Sequence, residues 1–79
     1  MNLYLISQDV LNDYDTYDSA VVAAESEEAA RAMHPGGEPW DGATDEHNTW
    51  PAKEHVTVRL VGVAADGVTG VICSSFRAG

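Results

Sequence analysis

Ser19-Ala-Val-Val-Ala-Ala24 runs straight into Glu25-Ser26-Glu-Glu-Ala-Ala-Arg-Ala-Met-His34, and the pattern halts at Pro35-Gly36-Gly37. The first segment is a nearly continuous Ala/Val run, which suits a strand covered on both faces or largely buried by a helix. In the second, Ser26 is a good N-cap and places Glu27 and Glu28 in the first turn, where the helix dipole favours negative charge. Ala29, Ala30, Ala32 and Met33 then form a compact apolar surface, and proline and glycine end the helix at about His34. Two turns of helix are marginal in isolation, so this element has to be held by packing on a sheet that its alanines let it approach closely.

Working outward, Leu3–Ser7 reads as a short strand ended by the polar Gln8-Asp9, and it pairs with Ser19–Ala24 across a loop over Gln8–Asp18. Downstream, Val56, Val58 and Leu60 alternate with Thr57, Arg59 and Val61, as a half-buried strand requires. Asp66-Gly67 supplies a turn and Gly70–Phe76 a fourth strand, leaving Arg77-Ala78-Gly79 exposed. The expected fold class is α+β: one domain over residues 1–79, with a four-stranded antiparallel sheet made of two hairpins and one short helix packed on one face, in the order β-β-α-β-β. The polar stretch from Pro35 to Lys53 is expected to form a surface loop pinned by Trp40 and Trp50, and loops of that length are often functional.

Thirteen Asp and Glu against four Lys and Arg give a formal charge of −9. Such a surface repels nucleic acid and anionic membranes, which makes a basic protein the natural partner. The charge is lopsided, because Asp9, Asp13, Asp15, Asp18, Glu25, Glu27 and Glu28 all fall within residues 1–30, where no Lys or Arg occurs. Cys73 is the single cysteine, so no internal disulfide forms and nothing favours an oxidising compartment. Residues Met1 to Val10 show no basic, apolar leader pattern, and no stretch approaches the roughly 18 apolar residues of a membrane span. A cytoplasmic protein with no membrane contact is expected.

Catalytic and metal chemistry find little purchase. Asp13 and Asp15 have the alternate spacing of a calcium loop, but the sharp-turn glycine and the distal bidentate glutamate are missing. His34, His47 and His55 sit at spacings that fit no common zinc motif, so they read as surface or loop-packing residues. Ser74 and Ser75 lack a nucleophile-elbow context, and no glycine-rich phosphate loop precedes the helix. No enzyme activity, cofactor or metal is expected.

The mixture of tyrosine and carboxylate in Tyr14-Asp15-Thr16-Tyr17-Asp18, with Asp9 and Asp13 before it and Glu25, Glu27 and Glu28 after it, is the candidate partner-binding surface. Aromatic anchors and carboxylates suit a basic protein interface. The tyrosines have a second reading, in which they fold back over the sheet edge. Asp13 and Asp15 would also stand roughly 6.6 Å apart, as phosphates do along a strand, if their segment were extended, which is the condition for acting as a DNA mimic.

Leu3-Tyr-Leu-Ile-Ser-Gln-Asp9, Tyr14-Asp-Thr-Tyr-Asp-Ser-Ala-Val-Val-Ala-Ala-Glu-Ser-Glu-Glu-Ala29 and the closing Gly70-Val-Ile-Cys-Ser-Ser-Phe-Arg-Ala-Gly79 resemble a family of short acidic proteins of bacterial genomes and mobile elements. The likeness covers most of the chain outside the 35–53 loop. In size and acidity the chain is also similar to anti-CRISPR proteins, inhibitors of type I systems in particular. That resemblance implies a phage or prophage origin and a protein that binds a subunit of a CRISPR surveillance (Cascade) complex and blocks target DNA binding. It carries no interface residue across. The alternative is a small acidic domain whose charge serves solubility while Trp40, Trp50 and the central loop contact a ligand or another protein.

Overall fold

The computed structural model describes residues 1–77; Ala78 and Gly79, expected to be exposed, lie outside the described residues. Its elements are β1 (Asn2–Ser7), β2 (Thr16–Ala24), α1 (Glu27–Arg31), a 3-10 turn at Lys53–His55, β3 (Thr57–Val63) and β4 (Gly70–Arg77). The four strands form one antiparallel sheet in the order β3-β1-β2-β4, with one short helix on it, so the α+β class read from the sequence holds. The β1–β2 hairpin forms as expected, in a register that sets Tyr4 opposite Val22 and Ile6 opposite Ala20.

The second hairpin does not form. β3 pairs with β1 and β4 with β2, so the last two strands occupy opposite edges of the sheet. Asp66-Gly67 does turn the chain, with Gly67 at φ 80°, a conformation that glycine adopts at little cost. That turn is one corner of a connection running under the ends of β1 and β2, where the Ala64 N–H donates to the Met1 carbonyl. The hairpin expectation failed because a turn signal reports a change of direction, while the partner of a strand is set by which apolar faces meet.

Tyr4, Ile6, Ala20, Val22 and Ala24 point from the central hairpin into the core, where they meet Ala30, Trp50 and Val56. Ser26 caps α1 by accepting from the Ala29 N–H, as its sequence context predicts. The helix is shorter than expected and ends at Arg31, with Ala32 as its C-cap and His34 already in the following loop. So short a helix has no stability of its own. Arg31 ties it to the start of β3 through a hydrogen bond to the Val56 carbonyl.

The loop from Pro35 to Lys53 was expected at the surface, and its inner half is instead core. Trp50 is fully enclosed, and Pro35 and Pro51 are fully buried as well. This segment covers the part of the sheet that so short a helix leaves bare. On the far face, register aligns Leu3, Leu5, Val21, Ala23, Arg59 and Cys73; Ala23 is fully buried among them, and the α1 residue Ala30 packs on the opposite, core face. Cys73 is exposed there.

Candidate functional site

The loop between β1 and β2 is held by a set of polar contacts that composition does not reveal. Gln8, only 6% exposed, accepts from the Val10 and Leu11 N–H groups through Oε1 and donates through Nε2 to the Leu11 and Tyr17 carbonyls. Asn12 donates to the Asp9 carbonyl, and the Thr16 hydroxyl donates to that of Asp13. Arg77, expected to be exposed, is the last residue of β4 and turns its guanidinium onto the Leu11 carbonyl and the Thr16 hydroxyl. Its own carbonyl accepts from the Asp15 N–H. Asp15 sits at φ 63°, a left-handed conformation that aspartate tolerates better than most residues.

The outcome is a fixed tip presenting Asp9, Asp13, Tyr14 and Asp15, all exposed, with Tyr14 at 76%. The bends at Asp13, Tyr14 and Asp15 break the extended geometry that phosphate-like spacing of Asp13 and Asp15 requires. Tyr17 and Asp18 are set apart from this tip because β2 begins at Thr16 instead of Ser19. Tyr17 is half-buried and packs edge-on against Phe76 and His34, with ring centroids 4.8 and 5.8 Å away. Of the two readings for the tyrosines, Tyr17 therefore takes the packing one and Tyr14 stays free. The Asp18 carboxyl is held below its ordinary range chiefly by the Ser75 side chain, with burial opposing and Arg77 assisting.

Glu25, Glu27 and Glu28 lie at the other end of β2. At about 3.3 Å per residue, the strand separates Asp18 from Glu25 by roughly 20 Å, so the nine candidate residues form two separate groups. A third acidic group, Glu38, Asp41, Asp45 and Glu46, comes from the loop that covers the core. Adjacency in sequence suggested one continuous face; an intervening extended strand carries its two ends to opposite rims. Among the described residues no Lys or Arg pairs with a carboxylate, and both Arg31 and Arg77 are turned to backbone carbonyls. Among the described residues the acidic groups are therefore left without Lys or Arg ion-pair partners.

Buried His34 and half-buried Asp45 form a polar pair with a catalytic look. The Gly36 N–H donates to Nδ1 at 2.9 Å, which places the ring proton on Nε2, and Nε2 donates to Asp45 Oδ2 at 2.8 Å. Both ring nitrogens are thereby engaged, and the imidazole has none free to take a proton from a substrate. Burial of Asp45 opposes its ionisation, but the Thr49 hydroxyl and amide together with His34 outweigh it and hold the carboxyl below its usual range. The pair acts as a clasp for the loop. His47 is exposed, and among the described residues no group of His, Cys, Asp and Glu converges as metal ligands would.

The fold and this surface define a class, a small α+β domain with a braced acidic loop. Comparison of the chain with protein-family models, with curated proteins and with solved structures found no match. Among the described residues no helix is long and apolar enough to cross a membrane.

Proposed function

We propose that this protein is a cytoplasmic binding module that docks on a cationic surface of a nucleic-acid-handling protein and inhibits it, in the manner of an anti-CRISPR protein that occupies a type I surveillance complex and keeps target DNA away. The observation that supports this reading is the β1–β2 tip, where an exposed tyrosine stands among unpaired carboxylates in a conformation fixed by Gln8, Thr16 and Arg77. A tip already ordered in the free protein loses little conformational freedom on binding. Tyrosine supplies contact area at low entropic cost, and carboxylates accept the paired N–H groups of arginine.

The reading is tested by mixing the protein with type I surveillance complexes at low and moderate salt and measuring both association and target-DNA binding. Association that weakens with salt, together with loss of DNA binding, is the expected result. The triple variant D9N/D13N/D15N keeps the shape of the tip, since asparagine tolerates the left-handed conformation at position 15, and it is expected to weaken association at least tenfold. Absence of association at low salt, or full binding by the triple variant, would refute the assignment.

A further inference from the structure

A cleft of about 260 Å³ opens beside the start of β4, walled by Met33, Pro39, Trp40 and Val71, with His34 at its side and Glu38 among its lining residues. The volume falls just under the roughly 300–1,000 Å³ typical of sites for whole small molecules, and suits a single long side chain. Its walls are shaped by particular residues. The Trp40 indole is held by its N–H donating to the Ala43 carbonyl and by edge contact with His34, centroids 6.0 Å apart. Gly36 leaves room for Glu38 to come down over the His34 ring: a Cβ there would stand 3.1 Å from both Glu38 Oε1 and His34 Nδ1. One carboxylate is therefore brought to a recess that is otherwise apolar and aromatic, while its side chain stays 63% exposed.

Next to it lies a more open recess of about 600 Å³ that shares Glu38, Pro39 and Trp40 and adds Asp41, Asp45 and Glu46. Trp40 thus stands between an apolar slot and a ring of carboxylates. We infer that this cleft receives an arginine side chain of the protein partner, with the methylene stem against Met33, Pro39 and Val71 and the guanidinium beside the Trp40 indole and the Glu38 carboxylate. A flat, weakly hydrated cation on an apolar stem matches each wall: the indole attracts it, the carboxylate accepts its N–H groups, and the surrounding acids raise its local concentration. An anionic or purely apolar occupant would leave Glu38 either repelled or desolvated without a partner.

The inference rests on the protein-binding reading above and adds a second contact away from the β1–β2 tip. It is tested on the free, full-length protein by titrating N-acetyl-arginine methylamide and following the two indole N–H signals by NMR, with the uncharged isostere N-acetyl-citrulline methylamide as the control. The Trp40 signal should shift saturably with the arginine probe while that of buried Trp50 stays fixed. The citrulline probe, and the arginine probe on Glu38→Gln, should bind about tenfold more weakly, the effect of removing one charge-assisted contact. Trp40→Phe, which retains the ring packing, should reduce the response of the Met33 methyl to the same probe. Equal binding of the two probes, no loss in Glu38→Gln, or no response at Trp40 would overturn the assignment. The D9N/D13N/D15N variant should keep the full cleft response, so failure of the partner assignment and failure of the cleft are separable.

Discussion

Both ends of the Gln8 amide are committed to the loop that follows it, and this single side chain decides whether the acidic tip has a shape. Replacing it by alanine removes the acceptor of the Val10 and Leu11 N–H groups and the donor to the Leu11 and Tyr17 carbonyls, a loss of about 0.5–1.5 kcal/mol for each hydrogen bond. Gln8→Ala is expected to lower the urea midpoint and to quicken amide exchange from Val10 to Thr16, leaving the residues of α1 less affected. Asp45 makes a comparable argument with pH as the variable. Its carboxyl is depressed in the folded chain, so its stabilisation is complete above the unfolded value near 3.9 and disappears as pH falls through the lower folded value. Denaturation measured from pH 7 down to 3 should show Asp45→Asn less stable at neutral pH, with the gap to the unaltered protein narrowing below about pH 4. Neither role could be read from sequence. Gln8 looked like a polar strand end, and Asp45 like one acid among many, because their partners are fixed only once the loops have closed.

Helix α1 is a short plug whose seat is made by small side chains. Ser26→Ala removes the side-chain cap of α1 and should cost about 1 kcal/mol, whereas Ala30→Leu forces extra methylenes against the sheet and should cost about 1–3 kcal/mol. The long loop is the larger structural element in energetic terms. Trp50→Ala empties the centre of the core at about 3–5 kcal/mol, much of what a domain this small has, and is expected to abolish the cooperative thermal transition. Trp50 thus leaves the set of contact residues that the ligand-binding alternative proposed, and Trp40 and the central loop remain in it. The strand alternation, the Ser26 cap and the first hairpin were legible because each is a local pattern of a few residues. The place of the Trp50 segment under the sheet was not, since a polar loop and a core lid share a composition and differ only in which few side chains turn inward.

At the scale of the molecule, the charge is spread over two ends and one flank, with Arg59 on the far sheet face. If the partner is engaged through the tip, the variants D9N/D13N/D15N and E25Q/E27Q/E28Q should differ although each removes three charges. Both should lower the salt dependence of association, and the tip variant alone should raise the dissociation rate, because distant charges steer encounter while contacting charges hold the complex. Sequence order had merged these two groups into one surface. The strand order β3-β1-β2-β4 carries a consequence for biogenesis as well. The middle of the sheet is synthesised first and both flanks last, so a ribosome-bound chain ending before Thr57 displays two bare strand margins and lacks Trp50's completed enclosure. Maturation must wait until β4 has emerged, and a polypeptide ending short of that strand would be a substrate for chaperones and proteases instead of a smaller working version.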